Sequence, residues 1–486
     1  MKTIVQRMVV VLTICVLAGH AAGALAETDT ASDAPVLEAG RALTQQWMSG
    51  EIAGLWERFG SQMQAVVGSR EGLAQTGAGI LAQLGEENAV LSEQVTRQQG
   101  IAVYRRVSRW SGSPNPIAVT WALGPDGLIE GFSVRPAPAE NLGAAVAAGE
   151  TPDGRLPADD VVAQYLEEFV EQRQVAPGVV VGLLDSEGAR FVAHGDAGDG
   201  RAPDPDTVFE AGSVTKGLTG LLLAQMVDAG DVRLDQPVGE LLPADLGVDP
   251  AVAAITLEEL ATHRSGLPRL ASGPEMQARM TSADPYAGST PEEIFADVAR
   301  VDAAQVAAGR GSYAYSNFGS ALLGQLLARA GEASYADLLA ERVFAPLGLA
   351  APALAPDAVD GRRAQGHQAG QPVPPWTLDA YAPAGGWQTS ARDALALAQR
   401  LVSGEPAWVT AALEPRTEDG GGLAWHQVTI ADRTVTWHNG GTAGSSSFLA
   451  IVPDEDLALV VLVNAGGGVA DGLARALLAH GRTPPQ

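Results

Sequence analysis

Phe209-Glu210-Ala211-Gly212-Ser213-Val214-Thr215-Lys216, running directly into the apolar stretch Leu218 to Val227, decides how this chain is read. Residues three apart share a helix face, so a helix opening at Ser213 sets that hydroxyl beside the Lys216 amine one turn later, a nucleophile next to a base. The free N–H groups and partial positive charge of the helix end also favour a developing oxyanion near Ser213. Taken alone, Ser-x-x-Lys equally describes a helix cap followed by a surface lysine. Composition separates the two: of 31 Lys plus Arg, the only lysines are Lys2 and Lys216. Arginine stays protonated, whereas a buried lysine can lose its proton, so a chain built on arginine keeps lysine where base chemistry needs it.

Two further stretches fit the same chemistry. Tyr315-Ser316-Asn317 lies in Gly311-Ser312-Tyr313-Ala314-Tyr315-Ser316-Asn317-Phe318-Gly319. A tyrosine beside a lysine cation is expected to release its proton more readily, which lets Tyr315 relay protons between Ser213 and a leaving group, while Asn317 can donate to a substrate amide. Tyr313 shows that an aromatic turn is the alternative. His438-Asn439-Gly440-Gly441 follows the expected strand Thr434 to Trp437, and a glycine pair there lets substrate approach the backbone. The Gly441 N–H can then complete an oxyanion hole with that of Ser213, with His438 and Gly440 against the substrate.

In this order and separation the three stretches resemble the serine β-lactamase and penicillin-binding-protein-like superfamily, most closely its class C-related branch. Thr262-His263-Arg264-Ser265-Gly266-Leu267-Pro268 is similar to that branch's T-H-x-S-G-L-P segment, and Val232 to Val238 to the stretch after its nucleophile helix. Pro346-Leu347-Gly348-Leu349, Ala384-Gly385-Gly386 and Pro453 through Asn464 match further landmarks. The resemblance implies a β-lactamase/transpeptidase-like domain over 158–482, an antiparallel sheet flanked by helices with a mostly helical subdomain. It implies catalysis by Ser213, Lys216 and Tyr315 through an acyl-enzyme, without cofactor or metal. Penicillin-recognising members carry Lys-Thr-Gly or Lys-Ser-Gly at the third motif, where this chain has His438, largely neutral near pH 7 and a poorer partner for a carboxylate. Ester, amide or D-amino-acid peptide substrates are therefore expected ahead of β-lactams. A β-lactamase or DD-carboxypeptidase is the alternative, and a slowly deacylating sensor of cell-wall fragments or β-lactams the alternative outside catalysis. Trp387 either narrows the pocket or packs in the core.

The rest of the chain sets the context. Lys2 and Arg7 precede the apolar run Met8 to Ala18, and Ala24-Leu25-Ala26 is a small-x-small cleavage site, so residues 1–26 read as a secretory leader and the protein as periplasmic or secreted. Cleavage there removes Cys15, the sole cysteine, and with it disulfide and thiolate chemistry. It also leaves 29 basic residues against 57 acidic, a charge of −28 that speaks against a nucleic-acid partner. No later segment is apolar enough to span a membrane, and the remaining histidines lack metal-ligand spacing. Helical spacing of Leu43, Trp47, Ile52, Leu55, Phe59 and Met63 precedes strand-like alternation in Ala89 to Arg97, Ile101 to Trp110, Ile117 to Leu123 and Leu128 to Val134. That α+β unit, 27–137, resembles the small NTF2-like domains; lid, dimerisation surface, accessory pocket and passive spacer are all open to it. A Pro/Ala/Gly-rich stretch, 138–157, reads as a linker. Beyond it, strands are expected at Val179 to Asp185 and Ala189 to Val192, and again from His426 onward, with helices between.

Overall fold

The computed structural model describes residues 13–15, 33–60, 63–64, 69–98, 101–113, 116–137, 142, 146, 151–198, 200–280, 282–359, 361–368, 370–418 and 420–482. The chain divides into two compact units, Met1–Leu142 with Arg173–Val175, and Gly143–Gln172 with Ala176–Gln486. Most of the expected leader and of 138–150 lies outside the described residues.

In the first unit the helices Ala34–Met48, Ile52–Arg58 and Arg70–Leu84 precede an antiparallel meander. Its strands are β2 (Glu87–Gln98), β3 (Ile101–Trp110), β4 (Ile117–Leu123) and β5 (Ile129–Pro136), and β1 (Thr13–Cys15) pairs with β5 at one edge. Leu43, Trp47, Leu55, Phe59 and Met63 on the helical side meet Tyr104, Trp110, Trp121 and Phe132 on the strands. Leader cleavage at Ala26 would remove β1 and leave the meander intact.

The second unit is built on a six-stranded antiparallel sheet whose neighbours run β12-β13-β14-β15-β6-β7. Its first two strands in sequence, β6 (Gly178–Asp185) and β7 (Gly188–Gly195), form a hairpin. The other four come about 230 residues later: β12 (His426–Ile430), β13 (Arg433–Gly441), β14 (Ser446–Val452) and β15 (Leu457–Val463). Every residue of β6, β14 and β15 is buried, the mark of strands covered on both faces, and helices Ala391–Ser403 and Ala470–Ala479 pack on β14 and β15. Each fully buried Val or Leu in these runs contributes roughly 1.5–3 kcal/mol.

Between β7 and β12 the chain is mostly helical, as expected. Helices Thr215–Asp228 and Asn317–Ala330 run through its centre; both are buried nearly all round, so neither shows a polar stripe. Short strands interrupt this region: β8 (Val208–Glu210) pairs with β11 (Gln388–Ser390), and β9 (Gly366–Gln368) with β10 (Gln371–Val373). Three-residue strands carry too little periodicity to be read from sequence. Residues 151–157, within the stretch read as linker, are tied into the second unit. Thr151 N–H donates to Gly481 O at 3.3 Å, Gly154 N–H to Glu455 Oε2 at 3.0 Å, Leu156 N–H to Asp185 Oδ2 at 3.0 Å, and Arg433 Nη2 to Arg155 O at 2.6 Å.

Candidate active site

Strand β8 delivers the chain to Ser213: Gly212–Val214 make one 3₁₀ turn and the helix Thr215–Asp228 follows without a break. Gly212 has φ +52°, and a Cβ on it would lie 2.6 Å from Gly441 N. From the opposite side, a Cβ on Gly440 would lie 1.9 Å from Ala211 O and 2.9 Å from Ser213 N. Backbone thus meets backbone where β13 ends, which sets the Gly441 amide at the strand end and the Ser213 amide in the 3₁₀ turn on either side of one narrow seam. Ser447 Oγ donates to Ala211 O at 2.6 Å and Ala211 N–H to Trp387 O at 2.8 Å, fixing the loop from both flanks. Trp387 is 2% exposed and meets Phe344 edge-on, so its ring belongs to the core rather than the pocket.

Ser213, Lys216, Tyr315 and Asn317 converge. Lys216 Nζ lies 2.6 Å from Ala384 O, 2.9 Å from Asn317 Oδ1 and 3.1 Å from Ser213 Oγ. Among the described residues no carboxylate pairs with it, and burial, then the positive charge of Arg269, hold its amine well below the usual lysine range. A neutral amine has two N–H groups and one lone pair. The two carbonyl oxygens accept the N–H groups, which leaves the lone pair to accept the Ser213 proton. Tyr315 Oη donates to the same Ser213 Oγ at 2.7 Å. Burial pushes the Tyr315 phenol up to about 12. This corrects the sequence expectation of an acidified tyrosine: desolvation outweighs the lowering by the Ser213 hydrogen bond and Arg269, and Tyr315 holds its proton as a donor. Asn317 Nδ2 donates to Tyr286 Oη at 3.0 Å, which leaves one amide N–H for a substrate.

His438 sits in β13, 1% exposed. Its Nδ1 is 2.6 Å from Asn439 O, and since a carbonyl only accepts, Nδ1 carries the proton. Burial, then His426 and Lys216, keep the ring well below the usual imidazole range, so it is neutral and Nε2 is an unpartnered lone-pair acceptor. Asn439 Nδ2 donates to Asp471 Oδ2 at 2.7 Å, and burial raises the Asp471 carboxyl to about 6. The third motif therefore brings no cation to the site.

Several partners were not singled out from sequence. Ala384 O takes the shortest Lys216 bond, though Ala384-Gly385-Gly386 was visible as a landmark. His263, with φ +58°, accepts the Ser316 N–H at Nδ1 and packs its ring 4.5 Å from that of Tyr315. Arg269 lies with Cζ 5.2 Å from the Tyr315 ring centre. Only its position directly after Leu267-Pro268 marked it. Among the described residues no group of three or more His, Cys, Asp or Glu is arranged to hold a metal ion, and no helix is long and apolar enough to cross a membrane.

The Beta-lactamase family model matches residues 143–482. Penicillin-binding protein 4 of Amycolatopsis lactamdurans is 27% identical over 351 residues, covering 65% of this chain and 87% of the relative. The D-alanyl-D-alanine-carboxypeptidase/endopeptidase AmpH of Escherichia coli (strain K12) is 25% identical over 332 residues, 63% of this chain and 84% of the relative. Among solved structures, a class C beta lactamase from Rhodobacter sphaeroides superposes with a TM-score of 0.56 at 26% identity, covering 66% of this chain and 99% of that one. With a serine-nucleophile fold, an ordered site and a family match over most of its length, the chain belongs to the β-lactamase family and is a serine hydrolase.

Proposed function

We propose that this protein is an exported serine hydrolase that cleaves ester or amide bonds through an acyl-enzyme on Ser213, with peptides bearing a D-residue at the scissile bond as its substrates. The observation that carries the reading is the proton array at Ser213, in which Lys216, its pKa lowered by burial, stands to accept and a protonated Tyr315 to donate. Ser213 Oγ bonds to the substrate carbonyl carbon as its proton passes to Lys216, and the oxyanion settles between the Ser213 and Gly441 amides. The bond to the leaving nitrogen or oxygen then breaks. Tyr315 protonates that atom and recovers a proton from Lys216, so one proton has moved from Ser213 to the leaving group. Water adds to the acyl carbon, returning a hydrogen to Ser213 and releasing the acid. The D-residue preference is supported by relatives whose names include a D-alanyl-D-alanine carboxypeptidase/endopeptidase and a penicillin-binding protein.

Side-by-side turnover of a short-chain p-nitrophenyl ester, an N-acyl-D-alanyl-D-alanine and a chromogenic cephalosporin, with Ser213→Ala as control, tests this. Ester and D-peptide turnover that is lost in Ser213→Ala is the expected result. Efficient turnover of the cephalosporin alone favours a β-lactamase, and a stable acyl adduct without turnover a sensor. Activity retained by Ser213→Ala sinks the nucleophile.

A further inference from the structure

With His438 neutral, recognition of an anionic substrate needs a cation from elsewhere, and one is present beside Tyr315. Arg269 is exposed, lies over the Tyr315 ring, and has no carboxylate partner among the described residues. Its neighbours Arg279 and Arg310, by contrast, are each engaged, with Glu293 at 2.7 Å and Glu259 at 2.7 Å. Nor is its backbone free to wander: Asn317 and Phe318 N–H both donate to Arg269 O, at 2.9 and 3.2 Å, which ties the residue to the start of the Tyr315-Ser316-Asn317 helix. Its charge reaches Lys216, His263, Tyr286 and Tyr315, in each case acting as a positive neighbour.

We infer that Arg269 is the specificity residue that holds a free carboxylate on the leaving residue of the substrate, which makes the D-peptide activity a carboxypeptidase activity. This rests on the proposed function above. The leaving nitrogen must come within hydrogen-bond distance of Tyr315 Oη to receive its proton, and the α-carboxylate carbon of that residue lies two bonds of about 1.5 Å further on. Tyrosine Oη stands about 2.8 Å from its ring centre, so Arg269 Cζ lies at most about 8 Å from Oη, a gap that one amino acid and a charge-assisted contact can fill. The guanidinium fork suits a carboxylate in two-point contact, and the aromatic face beneath keeps it from folding away.

The test is the ratio of kcat/KM for N-acyl-D-alanyl-D-alanine to that for its C-terminal amide, measured with the full-length protein, Arg269→Gln and Arg269→Lys, with the p-nitrophenyl ester alongside. The native protein should prefer the acid, and in Arg269→Gln the ratio should fall by about tenfold or more, mainly through KM, with partial recovery in Arg269→Lys. A ratio is used because loss of the charge also alters Lys216, and that change falls on both peptides equally. Ser213-dependent ester turnover with no preference for the acid, or a ratio unmoved in Arg269→Gln at unchanged melting temperature, overturns this inference and leaves the proposed function standing. Absence of Ser213-dependent turnover on all three substrates overturns both.

Discussion

At the scale of the residue, Lys216 is distinguished by its surroundings: two carbonyl acceptors, one hydroxyl and, among the described residues, no carboxylate. Arginine at this position cannot give up its proton, so Lys216→Arg should fold with a similar melting temperature yet lose about 10⁴-fold or more in kcat/KM. Near-native turnover of that variant would remove Lys216 as the base. The pH profile follows from the two shifted groups. Activity needs Lys216 uncharged, and its lowered pKa means that activity falls only as pH drops through that lowered value. Tyr315 must keep its proton, and at about 12 it does so beyond the ordinary tyrosine value of 10.0. Initial rates should therefore rise through one ionisation and hold a plateau past pH 10, to the limit of the protein's own stability. In Tyr315→Phe the rate should drop by about 10²–10⁴-fold on a peptide, and less on a p-nitrophenyl ester, whose leaving group departs without protonation. Equal losses on the two substrates would contradict the donor role.

At the scale of the element, the seam between β13 and the nucleophile loop decides whether these side chains do anything. Gly440→Ala places a methyl 1.9 Å from Ala211 O, and because the obstacle is backbone the strand itself must shift. Losses of about 10²–10³ in kcat at similar KM are expected from a displaced oxyanion donor, together with a stability cost of about 1–3 kcal/mol. A variant with native kcat would show that Gly440 is not needed at the seam. Elements with their own periodicity were legible from sequence: β3 and β4 begin and end where the alternation does, β12 begins at His426 where strands were expected to resume, and β6 stands where the apolar run stands. The paired strands β8 and β11 were not, because what fixes them is a partner about 180 residues away. The same division holds at the site. Ser213, Lys216, Tyr315, Asn317 and His438 carry local patterns, whereas Ala384 O acts through its backbone and the sense of the Tyr315 shift depends on burial, which no short motif encodes.

At the scale of the whole molecule, the two units have separate cores, one drawn from residues between 43 and 134 and the other from residues between 180 and 462, with no residue in common. The family match begins at 143, leaving residues 1–142 outside it. A chain comprising 143–486 should therefore fold and keep Ser213-dependent ester turnover. Starting instead at 158 has a distinct cost. It strips Leu156 N–H from the buried Asp185 carboxylate, Gly154 N–H from Glu455 and the Arg155 carbonyl from Arg433, whose side chain is fully buried. Leaving such charged or polar groups short of a partner costs about 1–3 kcal/mol each, so the 158–486 chain should melt several degrees below the 143–486 chain. Asp185 adds a pH signature. Burial alone would raise its carboxyl, but the Leu156 amide and Arg190 hold it below the usual aspartate range, so its contribution to stability is present above the unfolded aspartate pKa and lost as pH falls through the lowered folded value. With the Leu156 amide removed, the folded carboxyl moves back towards the unfolded value and has less pH-dependent stability to lose, so the melting curves of the two chains should lie further apart at pH 7 and draw closer between about pH 3 and 5. Identical melting behaviour would mean that residues 151–157 are a tether and no part of the catalytic unit.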